Sequence, residues 1–190
     1  MTSADNVGGD ERLRLFLGLR PPPDALDALV AWQEASLARM RVVPRERLHL
    51  TLAFLGHRPA EELAGILAML REAAAATEAP LRLTPVRYRE TRSVAMLVYE
   101  DEDGRAGRLA EDLQARLESR GVYRREGRLW LPHLTVGRFR KRPGLRPALP
   151  NRGTYVLLPS DACAYLSRLR PGGAQYEILE TVALGGLRGG

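Results

Sequence analysis

The sequence predicts an α+β fold in two similar halves: a bilobal molecule with antiparallel sheets and a cleft between the lobes. Three observations predict it. Strand-like and helix-like periodicities interleave along the 190 residues with short, turn-rich connections. A helix, a short loop and then a strand occur in that order twice. Each of those two strands carries His-Leu-Thr, once as His49-Leu50-Thr51 and again, 84 positions later, as His133-Leu134-Thr135.

The elements follow in order. Residues 12–19 alternate and then turn fully apolar, which predicts a first strand ended by Pro21-Pro22-Pro23. Leu26, Leu29, Val30, Trp32, Leu37 and Met40 recur at helical spacing, predicting an amphipathic helix over 24–39. Val42-Val43-Pro44 breaks that pattern, and a strand over 48–56 is expected to stop at Gly56. Pro59, followed by Glu61 and Glu62, suits a helix start, and Leu63, Ile66, Leu67 and Leu70 give the helix to about residue 77 its apolar face. Strands are expected over 81–89 and 93–100, then a charged loop at 101–104 and a helix over 105–120 capped by Gly121. After Leu131-Pro132 comes the second His-Leu-Thr strand. Residues 140–150 are basic and proline-rich, which reads as an exposed loop. Strands over 154–158, 162–170 and 175–184 close the chain, the last two joined by a hairpin turn at Pro171-Gly172-Gly173.

This length suffices for one domain with a substantial core, expected over 12–190 behind a loose tail at 1–11. The tail lacks the apolar stretch of a signal peptide. Cys163 is the only cysteine, so no internal disulfide forms, which suits a reducing compartment. No apolar run reaches the ~20 residues of a membrane helix. The expected location is therefore the cytoplasm, with no membrane partner. The formal charge is +6 and the isoelectric point about 10.1, with Lys141 the only lysine. Arginine's planar fork suits phosphate oxygens, so RNA, DNA or nucleotides are natural partners. A genome-wide preference for arginine accounts for the skew equally well, and charge alone does not choose.

Side chains alternate along a strand, so His49 and Thr51 share one face while Leu48, Leu50 and Leu52 share the other. His133 and Thr135 stand in the same relation to Leu134 and Val136. Two half-buried strands, each offering an imidazole and a hydroxyl, can line one polar cleft. Imidazole exchanges a proton near neutral pH, so a facing pair can serve as base and acid in one turnover. The threonine hydroxyls suit phosphate oxygens. Arg138 has odd spacing from Thr135 and reaches that face only through an irregularity such as a bulge, for which Gly137 is suited. Metal ligation is the rival use of histidines. However, no cysteine or carboxylate stands beside either motif and no His-x-x-x-His occurs, so neither a metal nor any other cofactor is expected. His57 reads as a surface residue, and Trp32 and Trp130 both as core or cleft-wall residues, Trp130, three residues before His133, being also a candidate contact. Arg45, Arg47, Arg140 and Arg142 flank the motifs and read singly as solvated charge.

With both motifs in place, the chain resembles the two-histidine phosphoesterase superfamily. The closer resemblance is to the RNA 2',3'-cyclic phosphodiesterases also labelled 2'-5' RNA ligases. The residues that carry it are 14–19, Val43 through Gly56, 133–138 and the closing 166–176. The resemblance implies two lobes about a pseudo-twofold axis, no metal, and an RNA or nucleotide substrate with a terminal 2',3'-cyclic phosphate opened to a 2'-phosphate. It implies His133 as base, His49 as acid, and Thr51, Thr135 and Arg138 as phosphate contacts. A monomer is expected. A 2'-5' RNA ligase, a 2'-5' oligonucleotide phosphodiesterase and a non-catalytic RNA-binding module remain alternatives.

Overall fold

Eight strands form one antiparallel sheet in the computed structural model, which describes residues 11–38, 40–125, 127–150, 155–171 and 173–185. They are β1 (Arg12–Leu19), β2 (Arg41–Val42), β3 (Leu50–Pro59), β4 (Leu83–Glu90), β5 (Val94–Asp101), β6 (His133–Arg138), β7 (Asp161–Arg170) and β8 (Gly173–Ala183). The order across the sheet is β4-β5-β6-β3-β1-β7-β8, with β2 paired to the far end of β6. The helices are α1 (Pro23–Ser36), α2 (Leu63–Ala75) and α3 (Arg105–Ser119). None of the described helices is long and apolar enough to cross a membrane.

Alternation decides which side of the sheet is core. Leu15, Leu17 and Leu19 of β1, Leu50 and Leu52 of β3, and Leu134 and Val136 of β6 are buried in one cluster. The same cluster takes Leu26 and Leu29 of α1, Ile66 and Leu70 of α2, and Leu109, Leu113 and Leu117 of α3. Each such leucine contributes roughly 2 kcal/mol by leaving water. Phe16, between Leu15 and Leu17, belongs to a separate small cluster with Cys163 and Tyr165, against which Tyr176 packs. That second cluster forms one wall of the cleft.

Local signals set most boundaries. Helix α3 ends in a glycine turn: Gly121 has φ +69° and its N–H donates to the Glu118 carbonyl, while Val122 N–H donates to Leu117. The buried Gln33 amide of α1 donates to the carbonyls of Val43 (3.0 Å) and Val136 (2.7 Å), holding the segment after β2 against β6. The expected exposed loop at 140–150 is mostly exposed and lacks regular structure, yet it is strapped down. Glu90 accepts from Gly144 N (3.0 Å), Leu145 N (2.9 Å), Tyr88 Oη and Arg142, and Trp32 Nε1 donates to Ala148 O. Burial works to raise the Glu90 carboxyl, but these hydrogen bonds outweigh it and hold the group below its ordinary value.

Several boundaries differ from expectation. Strand β3 does not stop at Gly56. That residue, at φ +69°, sits in a bulge opposite Leu15 and Phe16, and the strand runs on to Pro59. Pro59 therefore ends a strand, and a 3-10 turn at Ala60–Glu62 precedes α2. Helix α1 ends at Ser36, three residues early, because Leu37 turns into the core as the cap residue; Arg39 lies outside the described residues. The strand expected over 154–158 is a single bridge, Leu157 to Leu83, with residue 154 outside the described set. Pro85, two residues along β4, has no N–H with which to extend that pairing. Of the N-terminal tail, 1–10 lie outside the described residues, and the carbonyl of Glu11 accepts from Ala60 N. Gly172 of the closing hairpin also lies outside them.

The two groups of strands are not the N- and C-terminal halves. β1 lies between β3 and β7, so the start and end of the chain build one side of the sheet, β3-β1-β7-β8. The central strands β3 and β6 meet at one register position, Leu50 opposite Leu134.

Candidate active site

That single pairing aligns both motifs. In the antiparallel register through Leu50 and Leu134, His49 falls across from Thr135 and Thr51 across from His133. Each imidazole thus has the other motif's hydroxyl as its cross-strand neighbour. The two histidines are close enough that the charge on His133 acts on the titration of His49.

Bulges complete the constellation. Thr135 pairs with Met96 but Gly137 pairs with Ala95, so Val136 is an extra residue in β6. This shift turns Arg138 onto the face of Thr135, one residue earlier than Gly137 would have done it. Gly137 matters for another reason, since a Cβ there would lie 2.2 Å from Met40 Sδ and that side chain would have to shift. In β3 the register slips between Leu17 and Gly18, so Leu52 and Ala53 are both buried and Phe54 joins Thr51 on the cleft side. Arg14 lies over the Phe54 ring with Cζ 4.7 Å from its centre. Gly18 permits a close approach of backbone: a Cβ there would stand 2.7 Å from the Leu50 carbonyl oxygen and 3.6 Å from His49 Cδ2.

The histidines are held alike. His49 Nδ1 is 2.7 Å from the Arg47 carbonyl, and His133 Nδ1 is 2.8 Å from the Leu131 carbonyl, each two residues upstream. A carbonyl only accepts, so Nδ1 carries the hydrogen in both rings and Nε2 is the nitrogen left to exchange a proton. Their surroundings differ. His49 lies beside Phe16 (centroids 4.6 Å apart), Tyr176 (5.3 Å, edge-on at 86°) and Tyr165 (5.7 Å). Loss of hydration in that aromatic setting lowers its pKa from 6.5 to about 4. The Arg47 carbonyl opposes the shift, and the charges of His133 and Arg138 reinforce it. In the free cleft at neutral pH, His49 is therefore uncharged.

The cleft has two compartments that share Thr51 and Phe54. One, of about 450 Å³, is lined by His49, Thr135, Arg138, Arg14, Arg41, Arg47 and Tyr176 among others. The other, of about 460 Å³, is lined by His133, Arg89, Arg124, Arg128, Leu129 and Trp130 among others. All five residues singled out in the sequence, His49, Thr51, His133, Thr135 and Arg138, line this cleft. Trp130 is indeed a wall, and its indole N–H donates to the Thr51 carbonyl at 2.8 Å. His57 is exposed, Trp32 is buried, and Arg45 and Arg142 pair with Asp27 and Glu90 away from the cleft. Arg47 departs from the solvated reading by lining the first compartment. Sequence reasoning missed Phe16 and Tyr165, because β1 and β7 are apolar on both faces and hide their parity, and Tyr176, because its strand meets β1 only through β7. It also missed Phe54 and Arg41, since a bulge and a two-residue strand leave no periodic trace, and Arg14, whose alternation in β1 does not say what lies across from it. No three His, Cys, Asp or Glu side chains converge as a metal site among the described residues.

Known proteins with this architecture carry related descriptions. The chain is 34% identical to an RNA 2',3'-cyclic phosphodiesterase of Thermus thermophilus, over 93% of each chain. The crystal structure of TT0787, also from Thermus thermophilus, superposes with a TM-score of 0.76 at 33% identity, covering 92% of this chain and all of that one. Escherichia coli LigT, solved with 3'-AMP, shares the fold at 23% identity and a TM-score of 0.75, over 92% of this chain and 99% of its own. The pattern of the 2'-5' RNA ligase superfamily matches residues 21–157, a span that contains both His-Leu-Thr strands and the bulge that turns Arg138 into the cleft. On these grounds the chain belongs to the 2'-5' RNA ligase superfamily, the two-histidine phosphoesterases.

Proposed function

We propose that the protein is a metal-independent RNA 2',3'-cyclic phosphodiesterase that opens terminal cyclic phosphates to 2'-phosphates by paired imidazole catalysis. The observation that carries this reading is the matched pair of histidines on adjacent antiparallel strands, each with Nδ1 tied to a carbonyl two residues upstream. Such a pair leaves two Nε2 atoms, one for each side of a bound phosphate. Following the family pattern, His133 Nε2 takes a proton from water as its oxygen bonds to phosphorus. The bond from phosphorus to the 3' oxygen breaks, and His49 Nε2 gives that oxygen a proton. Thr51, Thr135 and Arg138 hold the non-bridging oxygens, whose charge grows in the transition state.

His49 starts uncharged in the empty cleft, so an acid role requires it to gain a proton with the substrate. A phosphodiester anion beside the ring opposes the loss of hydration and favours the imidazolium. The catalytic proton and the anionic substrate thus enter together. Afterwards the proton on His133 returns to solvent and the pair is reset. The protein acts as a monomer in the cytoplasm, and the whole of 12–190 serves as one bilobal catalytic domain about a pseudo-twofold axis.

A second reading, 2'-5' joining of RNA, is favoured by the compartment of about 460 Å³ on the His133 side. There a 5'-hydroxyl can take the place of water as the nucleophile. The experiment is incubation of short RNAs ending in 2',3'-cyclic phosphate, with and without a 5'-hydroxyl RNA, followed by assignment of the product phosphate. His49→Ala and His133→Ala should each fold normally and lose roughly 10²- to 10⁴-fold in rate. Full turnover by either variant, or strict dependence on an added divalent ion, overturns the proposal. Salt-sensitive RNA binding without any hydrolysis would mark a binding module instead.

A further inference from the structure

The His49 compartment carries more positive charge than one cyclic phosphate can use. Arg14, Arg41, Arg47 and Arg138 line it together with His49, and no carboxylate lines it among the described residues. Here four guanidinium groups share one cavity of about 450 Å³. A cyclic phosphodiester brings a single negative charge, and Arg138 beside Thr135 meets it. Arg14 is held by its bond to Ser167 and its place over Phe54.

Arg41 and Arg47 are aimed elsewhere. A Cβ on Gly173, at the start of β8, would lie 3.1 Å from one terminal nitrogen of Arg47 and 3.4 Å from one of Arg41. Both guanidinium ends therefore converge on the same glycine, at φ +111°. Arg41 stands directly across from Arg138 in the β2–β6 pairing, which puts it on the cleft face. Among the described residues Arg47 pairs with one acid, Glu46, 3.9 Å from Nε, on a well-exposed side chain outside the compartment.

We propose that Arg41 and Arg47 form a second phosphate site, which holds the 5'-phosphate or 5'-phosphodiester of the same terminal nucleotide whose cyclic phosphate reacts. This rests on the proposed function. With His49 protonating the 3' oxygen, the ribose lies on the His49 side, and the 5' carbon leads away from the reacting phosphorus into the compartment that Arg41 and Arg47 line. Two converging guanidinium forks match phosphate oxygens. The protein is thereby selective for RNA ends and 5'-phosphorylated cyclic nucleotides over cyclic nucleosides that lack the second phosphate.

Binding at equilibrium tests the site without turnover. Calorimetric titrations of wild type with adenosine 2'-phosphate and with adenosine 2',5'-bisphosphate should give about ten- to hundredfold tighter binding of the bisphosphate. In Arg47→Gln and Arg41→Gln that ratio should fall, and in the double variant it should approach one, with circular dichroism and melting temperature confirming an intact fold. Arg168→Gln, on an exposed arginine paired with Glu177 outside the compartment, should keep the wild-type ratio. Equal affinities in wild type, an unchanged ratio in the double variant, or an equal fall in Arg168→Gln overturns the proposal. Failure of the RNA cyclic-phosphate assay would strike the proposed reaction, whereas these titrations report on the site itself.

Discussion

Acidification from pH 7.5 to 3.5 should remove most of about 3 kcal/mol of folding stability through His49 alone. In the unfolded chain imidazole takes up its proton near 6.5; in the cleft, lost hydration and the charges of His133 and Arg138 hold it to about 4. Between those values the folded state binds fewer protons than the unfolded one, so stability falls as the pH falls. The contribution is complete above pH 6.5 and is lost as the pH drops through 4. At about 1.4 kcal/mol per pH unit the interval corresponds to roughly 3 kcal/mol. The assay is urea unfolding of wild type and His49→Gln across this range. Glutamine cannot titrate, so subtracting the two curves cancels the carboxylates that dominate acid unfolding. The difference should stay level from pH 7.5 to 6.5 and then shift against wild type by about 3 kcal/mol. A level difference throughout, or a His49 Cε1–H NMR titration with its midpoint at 6 or above, would refute the reasoning. Tyr176→Ser removes one of the three rings around His49 and should move that midpoint upward.

Other consequences are as direct. The acidic limb of kcat/KM for cyclic phosphate opening should lie near pH 4, where free His49 titrates, and should move upward in Tyr176→Ser. Gly18→Ala drives a methyl against the Leu50 carbonyl between β1 and β3 and should cost about 1–3 kcal/mol, with activity falling because His49 and Thr51 flank that carbonyl. Trp130→Phe keeps the wall but loses the bond to the Thr51 carbonyl, which should cost about 1 kcal/mol in denaturant unfolding and lower turnover. Glu90→Ala leaves Gly144 N–H and Leu145 N–H without their acceptor; about 2 kcal/mol of stability and early proteolysis within 139–150 are expected.

The periodic parts of this fold were legible in the sequence. β1 and α3 fall within a residue of where alternation and leucine spacing put them, and Gly121 ends α3 as glycine's freedom at positive φ requires. Alternation also put His49 with Thr51 and His133 with Thr135 on one face. What remained hidden depends on departures from period two. The extra residue at Val136 brings in Arg138, and the slip near Leu52 brings in Phe54; neither leaves a local mark beyond a nearby glycine. The aromatic rings around His49 come from β1 and from the closing β7–β8 hairpin, which lie far apart in the chain, and no local pattern announces that they meet. The same holds for Arg41, whose strand is two residues long.

The position of β1 between β3 and β7 bears on how the protein is born. The side of the sheet around His133 is assembled from β4, β5 and β6 in chain order, so it can form as the ribosome delivers it. The side around His49 cannot. Its first strand emerges ahead of the other seven and waits for the closing hairpin, Asp161 to Ala183, before its second edge is paired and Tyr165 and Tyr176 reach His49. A nascent chain cut short before that hairpin therefore carries both histidines but no finished cleft.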